Sequence, residues 1–346
     1  MTHIVHRTAA LAGAVGLLTA CSVVGQSPDD DGGSTELTLV THDSFTLDEE
    51  LLAAFEDEHG YELTQVAPGD AGSLVNQLVL TKDSPLGDVV YGIDNSFASR
   101  AVDEGVIEPY PDAPVPEGAE DYAIAGSEAL VPVDVGDVCI NVDRQWYAER
   151  DLAEPTSLED LTRPEYADQL VVTNPATSSP GLSFLLATVG AFGQDGWQDY
   201  WRALADNGVT VVDGWSDAYY VDFTGTEDGG TRPLVVSYAS SPAAEVPEDG
   251  GEPRTRALLD TCFRQIEYAG VLAGTEQPEA ARELVDFLLS AEVQADIPTS
   301  MYMYPVDPSV SLPEEWAQHA PLSEQPHTVD PAEISEHREE WVRTWT

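Results

Sequence analysis

Two copies of Ser-Ser-Pro stand where a polypeptide can hold an anion. Residues 174–186 read NPATSSPGLSFLL and residues 237–244 read SYASSPAA, and each phrase falls between a strand-like run and a helix-like run. A serine before proline suits a helix N-cap with proline at the first helical position, where the missing N–H costs nothing. The next amides, those of Gly181 and Leu182 or of Ala243 and Ala244, then have no partner inside the helix. Such amides attract an anion, helped by the helix dipole and by nearby hydroxyls. An ordinary cap leaves the same pattern, so the surroundings of the pair have to decide.

Ser179 and Ser241 are also the candidate nucleophiles. Neither lies in a G-x-S-x-G elbow, and several of the seven histidines fall in the N-terminal leader or the C-terminal tail. His42 is the histidine placed at a strand end. No spacing of Cys and His suits a metal. The sequence therefore predicts neither catalysis, nor a metal site, nor a cofactor.

The elements that would position these residues alternate. ELTLV (36–40) reads as a strand, and the helix after it puts Leu47, Leu51 and Phe55 on one face before Gly60 ends it. YELTQV, GSLVNQLVL and GDVVYGID continue as strand, helix and buried strand. This βαβαβ order predicts a parallel sheet with covering helices, in which ligands sit beyond the carboxyl ends of the strands. The residues at those ends are Thr41, His42 and Asp43, then Pro68, Gly69 and Asp70, then Asp94 and Asn95.

A second series runs from LVPVDVGDVCINVD through LVVTNP, a helix from Pro180, a helix over GWQDYWRALADNG, and the strands VTVVDGW and PLVVSY. Trp197, Tyr200, Trp201 and Leu204 have helical spacing and read as core. CFRQIEYAGVLAGT returns as a strand, PEAARELVDFLLSAEVQADI reads as one helix, MYMYPV as a short extended piece and PAEISEHREEWVRTW as a last helix. Two α/β units, one entered near 134 and left near 265, predict two lobes joined by crossing segments, with a site between them. The expected division is 36–134 with 266–312 as one lobe, 135–265 as the other, and 313–346 as a helical tail.

The first residues, MTHIVHRTAALAGAVGLLTAC, join a short charged start to an apolar run too short to span a bilayer and then to small residues before Cys21. Residues 1–20 read as an export signal, and LTAC resembles a bacterial lipobox that would leave a lipid on Cys21. Residues 21–35 read as a tether reaching roughly 20 Å. The chain carries 63 acidic residues, a single lysine at Lys82 and a formal charge of −49. Such a charge disfavours nucleic acid and anionic lipid surfaces, and suits a cationic ligand or simple solubility in salt. Contact with a membrane is thus expected through the lipid alone. In an exported chain the remaining Cys139 and Cys262 are expected to pair as a disulfide.

Eight stretches together resemble one family. They are THDSF, GDAGSLVNQL, DVVYGIDN, VPVDVG, NPATSSPGL, DGWSDAYYVDF, VVSYASSPA and IPTSMYMYPV, and the likeness runs from about Leu37 to Trp341. In this order and spacing they are similar to the thiamine-binding solute receptors of bacterial ABC transporters. The resemblance implies an α/β, two-lobed periplasmic-binding-protein fold of the type with two crossing hinge strands. It also implies a monomer that binds without catalysis outside the cytoplasmic membrane and delivers to a permease transmembrane subunit with its ATPase. Carried over by position, the ligand contacts it implies are Asp70 and Ala71, Ser178 and Ser179, Trp215, Tyr238, Ala239, Ser240 and Ser241. Tyr302 stands where the family often has Trp, and His42 where it can have Tyr. Ala244 replaces another aromatic, so fewer rings enclose the ligand.

The residue chemistry agrees with the resemblance. Thiamine joins a flat aminopyrimidine to a permanently cationic thiazolium, and its monophosphate and diphosphate add anions. The rings of Trp215, Tyr238 and Tyr302 suit stacking and cation–π contact, Asp70 suits the amine or the cation, and the capped serines suit a hydroxyl or phosphate. No lysine and no obvious arginine lies beside either Ser-Ser-Pro. A ferric-ion receptor of the same fold is the alternative, because Tyr219 and Tyr220 offer adjacent phenols as hard oxygen ligands. On a strand those two side chains would point to opposite faces, so they could share an ion only in a turn or bulge.

Overall fold

The computed structural model describes residues 34–226, 229–247 and 250–346; the export signal, Cys21 and most of the tether lie outside them. The first half of the chain forms β1 (Thr35–Thr41), α1 (Glu49–His59), β2 (Tyr61–Val66), α2 (Ala71–Leu80), β3 (Val89–Asp94), α3 (Ala98–Asp103) and β4 (Ile107–Glu108). The boundaries have local causes. The carboxylate of Asp48 accepts from the Glu50 amide at 2.7 Å to start α1, and Gly60, at φ 73°, ends it. β1 pairs in parallel with both β2 and β3.

The second half forms β5 (Val131–Asp143), α4 (Arg144–Glu149), β6 (Leu170–Thr173), α5 (Ser179–Asp206), β7 (Thr210–Val212), β8 (Leu234–Tyr238), α6 (Ser241–Ala244) and β9 (Thr255–Leu272). Then come α7 (Pro278–Leu288), α8 (Ala291–Ser300), β10 (Tyr304–Pro305), α9 (Glu314–His319) and α10 (Pro331–Trp345). The sheet order is β2-β1-β3-β9-β5-β8-β6-β7, with β4 on β9 and β10 on β5. β6 pairs in parallel with β7 and β8, while β5 and β9 pair antiparallel with each other along most of their length. Two parallel α/β halves are thus joined through two long strands, the two-lobed architecture expected from the alternation.

The apolar content does not divide as the halves do, since one cluster runs from Leu74, Val90 and Phe97 in the first half to Leu182 and Val236 in the second. One core packs α1, α7 and α8 against β1 and β3, and a larger one packs α5 against β5, β6 and β8, with Trp197, Tyr200, Trp201 and Leu204 buried in it. Gly193, at φ 69°, breaks α5 into the two helices read from the sequence. The single helix expected over 278–297 is instead two. Ser290 takes the Val293 amide on its hydroxyl at 3.3 Å and starts a new helix, overriding the continuous apolar stripe. β9 begins at Thr255, ahead of the Cys262 start expected, and the helical tail opens with a short extra helix, α9.

Cys139 on β5 and Cys262 on β9 are joined by a disulfide, as the pairing argument expects. It sits where the two strands cross, beside the ion pair of Arg264 Nε with Asp137 Oδ1 at 2.5 Å. A thiol count on unreduced protein should find neither cysteine free. Reduction should lower stability by about 2–4 kcal/mol, and two reactive thiols before reduction would contradict the bridge.

Candidate ligand-binding cleft

A cavity of about 490 Å³ opens between the two halves, a volume in the range of small-ligand sites. Its walls come from the loops after β1, β7 and β8 and from the turn between α8 and β10, as expected at carboxyl ends of strands. Another groove of about 510 Å³ runs along Thr255–Asp260 and contains no Trp, Tyr or Phe. In the interlobe cavity the rings of Trp215, Tyr219, Tyr220, Tyr238 and Tyr302 converge at the strand ends.

The aromatic wall is built on Trp215. Its indole N–H donates to Ser237 Oγ at 2.9 Å, and its ring stacks on Tyr219 with centroids 5.1 Å apart. Tyr220 and Tyr238 meet it edge-on at 5.3 and 6.3 Å. Residues Asp217–Asp222 form a wide helical turn, not a strand, so Tyr219 and Tyr220 both reach the cavity. Burial, reinforced by neighbouring carboxylates, holds the phenols of Tyr219 and Tyr238 well above their ordinary range, and both stay protonated. Tyr302 faces them from the other half with its backbone in the left-handed region at φ 55°. That conformation costs on the order of 1–3 kcal/mol in a non-glycine residue. The Ser240 hydroxyl, which donates to the Tyr302 carbonyl across the cleft, helps to hold it.

The two Ser-Ser-Pro phrases turn out to differ. At the first, the N-cap of α5 is Ser178, one residue before the serine next to proline expected from the sequence, and its hydroxyl accepts from Gly181 N at 3.5 Å. The Ser179 amide, however, already has an anion: Asp70 Oδ1 accepts from it at 3.1 Å. The same carboxylate caps α2 through Ala71 N at 2.6 Å and takes Trp215 N on Oδ2 at 3.1 Å. Asp70 thus ties the start of α2 in one half to the start of α5 and to Trp215 in the other. Its burial raises its pKa, against the Ser178 hydroxyl, the Ser179 amide and His42, which lower it. At the second phrase no side-chain cap forms, because α6 is a single turn. Ser241 Oγ turns back instead to Tyr238 N at 3.2 Å and Ser237 Oγ at 2.8 Å.

Of the residues singled out in the sequence, His42, Trp215, Tyr238, Ser241 and Tyr302 line the cavity, as does Ala244. Asp70, Ala71, Ser178, Ser179, Ala239 and Ser240 do not; they are buried where the halves touch or just behind the wall. The sequence reading missed Phe45, Glu245, Met301 and above all Glu267, a buried carboxylate on the cavity floor. The clue to Glu267 was a lone acid inside the apolar run QIEYAGVL of a central strand.

Residues 84–337 match the bacterial extracellular solute-binding protein family. Over 319 residues the chain is 32% identical to the thiamine-binding periplasmic protein of Escherichia coli strain K12, covering 89% of this chain and 92% of that protein. A solved periplasmic thiamin binding protein superposes with a TM-score of 0.78 at 29% identity, covering 93% of this chain and 98% of the other. A ferric binding protein from Campylobacter jejuni shares the fold at a TM-score of 0.68 and 16% identity, covering 89% of this chain and 98% of that one.

Proposed function

The chain belongs to the bacterial extracellular solute-binding protein family, and from that premise we propose that it is an extracytoplasmic receptor that binds thiamine in the cleft and delivers it to an ABC permease. The cleft itself carries the reading. It combines the rings of Trp215, Tyr238 and Tyr302 with the carboxylates of Asp43, Glu245 and Glu267, and neither lysine nor arginine lines it. A flat molecule with a fixed positive charge matches that chemistry through stacking, cation–π and Coulomb attraction. We read the protein as a binder and not an enzyme, since Ser241 Oγ is engaged by Ser237 and the Tyr238 amide, and Ser179 Oγ is buried with no hydrogen-bond partner among the described residues to take its proton. We further propose a monomer held to the outer face of the cytoplasmic membrane by lipid on Cys21. Its lobes, 36–134 with 266–312 and 135–265, would pivot where β5 and β9 cross.

The preferred form is expected to be thiamine, then the monophosphate, then the diphosphate. Asp70 already occupies the Ser179 amide, and the carboxylates on the wall oppose a phosphate dianion. Calorimetric titration of all three ligands checks the order: the diphosphate binding tightest would overturn it, and no ligand binding more tightly than millimolar would overturn the receptor reading itself. The ferric alternative needs phenolates, whereas Tyr219 is held protonated by burial and Glu245. Addition of ferric citrate is accordingly expected to produce no visible charge-transfer band.

A further inference from the structure

Beneath the rings, the floor of the cleft carries buried ionisable groups that stacking alone leaves unused. Glu267 is 3% exposed and reaches the cavity beside His42. Its Oε1 accepts from Gln265 Nε2 at 3.1 Å and lies 3.6 Å from His42 Nε2. Its Oε2 accepts from the Tyr91 hydroxyl at 3.2 Å, and Tyr91 donates to Asp134 as well. The His42 ring has a made seat. Gly92, at φ 93°, sits so close that a Cβ there would fall 2.1 Å from His42 Cδ2, so only glycine leaves room for the imidazole.

The charges on this floor can be assigned. Burial, reinforced by Glu267, holds Asp134 well above the carboxylate range, so it is neutral and can donate to Glu267; burial pushes Asp94 up to about 7. Glu267 is the ionised member. Burial opposes its charge, but His42 and the donors Asp134 and Tyr91 outweigh burial and lower its pKa. Burial likewise disfavours a charged His42, and Glu267, with Asp70 and Asp43 further off, outweighs it and raises the ring above the ordinary histidine value. The floor thus sets an imidazole favoured in its protonated form 3.6 Å from a carboxylate favoured in its ionised form, and while His42 is protonated the two charges cancel. Among the other carboxylates of the cavity, Asp43 is exposed to water and Glu245 accepts from Tyr219. Glu267 is the one whose field is least screened.

We propose that Glu267 is the residue by which the cleft selects a cationic ring, and that His42 is the counter-ion it keeps while the cleft is empty. The inference rests on the thiamine reading above. Two cations cannot share one buried carboxylate cheaply, so arrival of the thiazolium releases one proton from His42 to water: one positive charge enters and one leaves. Affinity consequently rises with pH, by up to about tenfold per unit, while His42 titrates, and levels off above its pKa.

Calorimetric titration across the range in which His42 loses its proton, in two buffers of different ionisation enthalpy, reads the proton count directly. At the acid end of that range the expected result is release approaching one proton with thiamine and none with 3-deazathiamine, the uncharged thiophene isostere, which should bind at least tenfold more weakly. Glu267→Gln should abolish the preference for the charged ligand. His42→Asn should abolish proton release and flatten the pH profile while thiamine still binds. Thiamine binding without proton release, or a charged-ligand preference that survives in Glu267→Gln, overturns the inference and leaves the receptor reading standing. Absence of thiamine binding by the unaltered receptor overturns both.

Discussion

Trp215→Ala is expected to weaken thiamine binding between about ten- and a hundredfold, or about 1.4–3 kcal/mol, with little change in the fold. The indole is the centre of the aromatic wall, touching Tyr219, Tyr220 and Tyr238. Its removal deletes one stacking face and frees Tyr219, the ring stacked beside it, to move. The folding cost should be modest because Trp215 is only half-buried, and Ser237 Oγ, which loses the indole N–H, keeps Ser241 as a partner. Trp215→Phe should recover most of the affinity, since the face is retained and only the N–H is lost. Calorimetric titration with a thermal melt on each variant separates binding from stability. An alanine variant with unaltered affinity would remove this ring from the site.

The parts of this molecule legible in the sequence are those fixed by neighbours in the chain. Apolar runs and caps located β1 to β3 and most of α5, and the even alternation of strand and helix implied two parallel halves. The walls of the cleft were partly legible for the same reason: His42, Trp215, Tyr238 and Ser241 each end or follow a strand, where open α/β sheets place ligands. What stayed hidden depends on chain segments far apart. Asp70 reads locally as a plain N-cap, and nothing nearby reveals that it meets Ser179, 109 residues on, and Trp215, 145 residues on. The twin Ser-Ser-Pro phrases look alike because capping preference is local. They differ in the fold because α5 is long enough to need a cap, while α6 is one turn whose serine serves β8 instead. Glu267 looked like a polar interruption of a strand, since its meaning comes from His42 in the loop after β1 and Tyr91 on β3.

Asp70→Ala is expected to cost as much affinity as loss of the central ring, although Asp70 does not line the cavity. Its two bonds across the halves are hydrogen bonds to a charged group, each worth about 1.5–3 kcal/mol. Without it the amides of Ser179 and Trp215 lose the partner that joins them to the opposite half. The binding geometry needs both halves in place, so a smaller closed population lowers apparent affinity in proportion; a fall of ten- to a hundredfold follows if roughly one such bond is lost in net terms. A second substitution tests closure without touching any charge. A Cβ on Gly72 would lie 2.7 Å from the backbone carbon of Thr177 in the opposite half, at the place where Ser73 N donates to Thr177 O at 3.1 Å. Gly72 lies within α2 without a positive φ, so Gly72→Val leaves the helix possible while propping the halves apart. Both variants should keep a larger radius of gyration than the unaltered receptor in small-angle scattering at saturating thiamine, and both should bind more weakly. A compact Asp70→Ala protein with undiminished affinity would show that the contact between α2 and α5 is incidental to closure, whereas expansion in both variants would identify it as the latch.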